Sequence, residues 1–184
     1  MARSDLALRR VRSAYERAHV TSALRGIALA VTLTIAAIAL HRTTDATWLV
    51  ASGLAATLAT LAWRGGPLRR GAFAGVLAGI PVFIAPALYF VFTRGHCPDC
   101  HVTPSLTCMV VCVGTSSVAG LLVGNAATRD ASPRGFAAGA VATALLTGLL
   151  GCGTTGIAGA VGVVLGLIAG GVTGWVTADR TARA

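Results

Sequence analysis

The sequence predicts an all-α integral membrane protein: a six-helix transmembrane bundle with both termini cytoplasmic, preceded by a short amphipathic cytoplasmic helix. Three observations predict it. Apolar residues make up 55% of the chain and charged ones only 11%, with a mean hydropathy of +0.76; a soluble globular chain carries roughly 25% charged residues. Six apolar segments reach the roughly 17–25 residues that a spanning helix needs. Arginine is concentrated on alternate connections between those segments.

Residues 4–22 predict the amphipathic tail helix. Ser4 can cap it. Leu8, Val11, Tyr15 and Ala18 fall on one face at 3.6-residue spacing, while Arg9, Arg10, Arg12, Glu16 and Arg17 lie largely elsewhere. Such a helix suits an anionic lipid surface or a cytoplasmic partner, whose docking residues would be Leu8, Arg9, Val11, Arg12 and Tyr15. The first span follows at about 24–40. The basic region before Ile27 is long for a cleaved signal peptide, so this segment is read as a retained span.

The second span, about 47–63, is bracketed by Trp48 and Trp63, the amphipathic rings that favour the membrane boundary. The third, about 71–92, contains Pro81 and Pro86. Each should kink it and free a carbonyl for a neighbouring helix to satisfy. The fourth, about 103–125, begins near Cys108 and Cys112, and the fifth covers about 135–151. The sixth, about 156–177, closes on Trp175. Residues 1–23 are thus the tail, 24–177 the transmembrane domain and 178–184 a C-terminal tail.

Thirteen arginines fall on one side by this reading: Arg3, Arg9, Arg10, Arg12, Arg17, Arg25, Arg64, Arg69, Arg70, Arg129, Arg134, Arg180 and Arg183. Only Arg42 and Arg94 fall on the other. The positive-inside rule makes the first side cytoplasmic. Nucleic-acid binding is the other reading of a net charge of +9, but these arginines are dispersed over loops that alternate with spans, so direct nucleic-acid contact is not expected.

Small residues recur every fourth position: Gly71, Gly75 and Gly79; Gly120 and Gly124; Gly162, Gly166, Gly170 and Gly174. Stripes of this kind let helix backbones approach closely. Packing within the bundle is the first reading, and a homodimer along Gly162 to Gly174 the second. Arg25-Gly26, Arg70-Gly71 and Arg134-Gly135 open alternate segments, a hint of three repeated hairpins. All six acidic residues map to loops or tails and no histidine falls inside a segment, which argues against an ion-coupled transporter or pump.

The chemistry gathers at the predicted outer face. His96-Cys97-Pro98-Asp99-Cys100-His101 lies in the third connection, Cys108 and Cys112 share a face of the fourth span, and Cys152 sits in a tight loop after the fifth. Thiolates and imidazoles are ligands for Zn²⁺ and, through sulfur, Cu(I). Cys97 and Cys100 with His96 and His101 could therefore hold a metal. In an oxidising compartment the Cys97/Cys100 pair also reads as a disulfide or redox dithiol. Cys97-Pro98-Asp99-Cys100-His101 fits the C-x-x-C-H spacing of covalent c-type haem, but the next span begins at once and leaves no room for an enclosing fold. Cys112 reads as a small apolar core residue.

Thr107-Cys108-Met109, Ser132-Pro133-Arg134-Gly135 and Leu150-Gly151-Cys152 resemble the NrsF-type membrane anti-sigma factors of proteobacteria, over about residues 67–170. The resemblance implies a multi-pass protein of the bacterial inner (plasma) membrane. It also implies that Cys108 and Cys152 respond to toxic metals and that a cytoplasmic sigma factor is released. The family surrounds its last cysteine with acidic, histidine and aromatic residues, which Gly153-Thr154-Thr155-Gly156 lacks. The leading expectation is a regulator of transcription, with the question of catalytic turnover left open. It would sense metal or thiol-redox stress through Cys97, Cys100, Cys108 and Cys152. The rival is a membrane dithiol oxidoreductase using Cys97 and Cys100.

Overall fold

The computed structural model describes the backbone of residues 2–40, 45–93, 106–152 and 157–183. The side chains of 2–15, 18, 40, 87, 89–93, 106–108 and 181–183 lie outside that description. The described residues form six helices: α1 (Ala2–Leu40), α2 (Asp45–Arg64), α3 (Gly66–Thr93), α4 (Leu106–Thr128), α5 (Pro133–Cys152) and α6 (Ile157–Arg183). Each contains a window of 20 to 24 residues long and apolar enough to cross a membrane. No strand occurs among the described residues.

Large apolar side chains face outward along the bundle, Ile35, Leu49, Leu77, Val110, Leu122 and Ile168 among them. Much of the interior is supplied by smaller groups such as Ala37, Ala119, Ala140 and Ala144, beside a few large ones such as Leu54, Leu58 and Leu150. That inversion suits a hydrocarbon solvent, in which association depends on close packing because apolar exposure carries no penalty.

The helices assemble as pairs. α1 and α2 run antiparallel, with Gly26 of α1 against Leu58 of α2. α3 and α5 run parallel: Gly71 faces Phe136, Gly75 faces Ala140 and Thr143, Gly79 faces Thr147, and Gly151 faces Phe83. α4 and α6 are parallel too, with Gly120 and Gly124 facing Leu167 to Trp175 and Gly166, Gly170 and Gly174 facing Val113 to Leu121. At most of these positions a Cβ would overlap the partner's backbone. The Gly162 to Gly174 stripe is therefore consumed inside the chain by α4, and the reading of it as a dimer face is corrected.

The two repeated starts at Arg70-Gly71 and Arg134-Gly135 lie side by side. Gly71 meets Phe136, and Gly139 meets the Leu68 carbonyl and the Ala72 amide. Thr143 fastens the pair by donating its hydroxyl to the Ala72 carbonyl at 2.8 Å as well as to its own helix at Gly139, 2.9 Å.

Three expected boundaries change. The tail helix and first span are one continuous helix, α1, so no break separates residues 4–22 from 24–40. α6 continues to Arg183 through the expected C-terminal tail. The connection drawn from Arg64 to Arg70 collapses to Gly65, which puts Arg69 and Arg70 in the first turns of α3.

That collapse requires glycine. Gly65 and Gly66 hold φ at 69° and 60°, the left-handed region that costs a side-chain-bearing residue about 1–2 kcal/mol. Gly65 closes α2 by donating its amide to Leu61 O at 3.2 Å. Gly65→Ala should destabilise the bundle by about 1 kcal/mol, read as a lowered unfolding midpoint in detergent. The Cβ would meet only His19 Cε1 at an ordinary 3.5 Å, so a much larger loss would mean that packing rather than backbone conformation decides this position.

At the same end, Asp130 Oδ1 accepts from Arg70 Nη2 at 3.1 Å and from the Ser132 amide at 3.0 Å, holding the α4–α5 turn against α3. Pro133 opens α5, where a missing N–H is harmless, and the Phe136 amide bonds Ser132 O at 3.0 Å.

Candidate functional site

α3 ends at Thr93, α4 begins at Leu106 and α5 ends at Cys152, and the parallel registers bring these points to the arginine-poor end of the bundle. The fourth helix opens with Cys108 in its first turn and carries Cys112 one turn further on. Cys152 is the last residue of α5, not part of a loop, and is fully buried. His96, Cys97, Cys100 and His101 lie outside the described residues, as does the side chain of Cys108. Among the described residues no group of three or more His, Cys, Asp or Glu is arranged to hold a metal ion.

Cys112 and Cys152, from different helices, lie in one core cluster with Val82, Ala144, Val163 and Leu167. Neither thiol reaches the surface. Cys112 packs against the opening of α6, where a Cβ at Gly162 would sit 3.4 Å from its own. This is the small apolar residue that its position suggested.

Cys152 has a more specific environment. Its Sγ–H points to the carbonyl of Val82 at 3.8 Å. Val82 is four residues before Pro86, and proline has no N–H to return to the carbonyl four residues earlier. α3 runs on through Pro86, so that oxygen lacks its usual donor four residues on, and the thiol of α5 supplies a weak one. The sequence predicted that a neighbour would absorb the carbonyls freed by proline; the pairing of Pro86 with Cys152, 66 positions apart, could not be read from it.

The buried thiols lie below the ends of α3 and α4. Phe83 faces Gly151, so α3 continues ten residues beyond the buried layer, about 15 Å of helix, before the connection holding Cys97 and Cys100 begins. From Cys112 back to Leu106 α4 rises about 9 Å. The connection between these two helix ends, with Cys97 and Cys100, lies outside the described residues.

Two buried hydroxyls that sequence reading passed over lie in the same half-bundle. Ser116 stands one turn below Cys112 on α4 and Thr147 on α5; both are fully buried, and neither oxygen has a hydrogen-bond partner among the described residues.

At the opposite end Leu8, Arg9, Val11, Arg12 and Tyr15, the residues expected to dock a partner, are on α1, with side chains outside the description. The missed residue is His19, whose Nδ1 lies 2.7 Å from Trp63 O and whose ring is 6.1 Å from the Trp63 indole. Ser22 adds a hydroxyl bond to Ala62 O at 3.3 Å. Both cap carbonyls that α2 leaves open at its C-terminus, and both fasten α1 where it meets α2. Only the histidine's position before the first span could have signalled this.

No family model, curated protein or solved structure matches the chain.

Proposed function

We propose that this chain is a membrane-embedded regulator that reads soft-metal or thiol-oxidising stress at its arginine-poor end. It would act on a cytoplasmic partner, a sigma factor by the resemblance above, through α1. The observation that carries the reading is the bond from Cys152 to the carbonyl that Pro86 frees. A thiol that binds Cu(I) or Zn²⁺ gives up its proton. A pair forming a disulfide gives up two protons and two electrons to an external oxidant. Either change at Cys152 removes the donor to the Val82 carbonyl, which Pro86 leaves without its usual partner, and loosens the α3–α5 pair.

The loop bearing His96, Cys97, Cys100 and His101 is the point of first capture, because it connects to the helix ends above the buried layer. Cys108 is in the first turn of α4, between that loop and Cys112 along the chain. α5 and α3 border the cluster that contains Leu54, Leu58 and Ala30 of α2 and α1, so a shift in that pair has a packed route to α1. α1 is unbroken from that cluster to Leu8, Arg9, Val11, Arg12 and Tyr15, and can carry a displacement to a partner-binding face.

The test is hydrogen exchange on reduced protein in nanodiscs, before and after one equivalent of Cu(I) or Zn²⁺ or a mild thiol oxidant. Exchange over residues 4–22 should change by about tenfold, the scale of a coupling of 1–3 kcal/mol. The change should vanish in Cys97→Ser/Cys100→Ser and shrink in Cys152→Ala. Retention of no metal, together with unchanged exchange under oxidant, would remove the proposal. Turnover of a soluble dithiol that is lost in Cys100→Ser would establish the oxidoreductase reading in its place.

A further inference from the structure

We propose that Arg25 of α1 and Arg69 and Arg70 of α3 form a specific site for the phosphate of an anionic phospholipid. The three arginines line one cleft of about 440 Å³ together with Ser22 and Phe73. They come from two helices that are not neighbours in sequence. Positive charges converging on one space repel one another unless an anion sits between them.

The protein's own carboxylates do not meet that need. Asp130, mostly buried, pairs with Arg70 among these three arginines and also holds the Ser132 amide. The other acidic residues whose side chains are described are Glu16, nine positions before Arg25 on α1, Asp45 at the far end of α2, and Asp179 on α6. Arg25 and Arg69 are exposed and lie on the cleft without an ion pair to Asp130.

Depth selects a lipid over a soluble anion. His19 is level with Trp63 and Ser22 with Ala62, so Arg25 stands about one turn further into the bundle than the tryptophan that marks the membrane boundary. Phe73 lies one turn further along α3 than Arg69 and Arg70 and gives the cleft an apolar wall. A phosphodiester at the top of an acyl chain fits this arrangement: guanidinium forks bind phosphate oxygens in pairs, and a charge at this depth needs such a partner. The inference rests on the six helices lying in a bilayer and is independent of any thiol chemistry.

The experiment uses reduced, metal-free full-length protein in detergent, titrated with phosphatidylglycerol, phosphatidylcholine of the same acyl chains, and inorganic phosphate, with bound lipid counted by native mass spectrometry. Phosphatidylglycerol should bind about tenfold more tightly than phosphatidylcholine. Arg25→Gln/Arg69→Gln should abolish the preference, and Arg69→Gln alone, at an exposed position, should reduce it. Arg129→Gln/Arg180→Gln, at the same end but outside the cleft, should retain it. Equal binding of the two lipids, a preference that survives Arg25→Gln/Arg69→Gln, or binding of inorganic phosphate without a lipid preference would overturn the site. Because no metal or oxidant is present, none of these results bears on the sensing proposal.

Discussion

Gly75→Val and Gly170→Val should each cost the bundle about 3 kcal/mol or more, at the upper end of what overpacking does in a filled core. A Cβ at Gly75 would overlap the Ala140 carbonyl and the Thr143 hydroxyl, and one at Gly170 the Ser117 carbonyl. Both obstacles include backbone, which cannot rotate away as a side-chain tip can, so the helices must separate. Separation is costly here because α3–α5 and α4–α6 are held by dispersion across the small-residue stripe, and lipid offers no hydrophobic force to pull them back. Gly114→Val is the control. Gly114 is exposed with nothing within 4 Å of its Cβ position, and its replacement should stay within about 0.5 kcal/mol of the parent. Unfolding midpoints in bicelles would rank the three. Equal losses at all three would mean that helix propensity, and not interhelical contact, governs these glycines.

Cys112 and Cys152 should react with N-ethylmaleimide about 100-fold more slowly than a cysteine placed at Val110, the opening of a packed core costing roughly 3 kcal/mol at such positions. Val110 is two residues from Cys112 and mostly exposed on the bundle surface, so depth and local polarity are matched and only enclosure differs. Single-cysteine variants of the full chain, labelled in detergent and again after denaturation, give the rates. Labelling of Cys152 as fast as Val110→Cys would show that its seat against Val82 is open, and direct capture at Cys152 would then replace capture at the loop as the first event. Strong protection fits the order proposed above, in which Cys97 and Cys100 act first and Cys152 responds.

The correspondence between sequence and fold has a clear pattern. All six helices were legible because a bilayer solvent excludes charge from long stretches, and that exclusion is visible residue by residue. Trp48 and Trp63 sit near the two ends of α2, as aromatic belts require, whereas α6 runs eight residues past Trp175. Boundaries were missed where a tight device replaced a loop. Gly65 and Gly66 turn the chain in one step, and nothing breaks α1 between its polar and apolar halves, since hydropathy changes there while helix propensity does not. For the candidate site, the hydropathy of the fourth segment is enough to put Cys108 and Cys112 on α4, whereas Gly151 and Gly153 around Cys152 look like a turn and hide its place on α5. Gly151 is glycine because it lies against the Phe83 backbone.

Composition and hydropathy, then, determine by themselves that this chain is six apolar helices with glycine stripes and a cysteine-rich stretch between the third and fourth. Those are properties of single segments, and each segment carries its own signal. Which stripe meets which was decided only in three dimensions. Neighbours in sequence must run antiparallel, yet the tightest contacts join parallel helices one hairpin apart, because complementary Gly and Ala surfaces allow the closest backbone approach there. The same assembly sets the Cys152 thiol against the carbonyl that Pro86 leaves free, and gathers Arg25, Arg69 and Arg70 around one cleft.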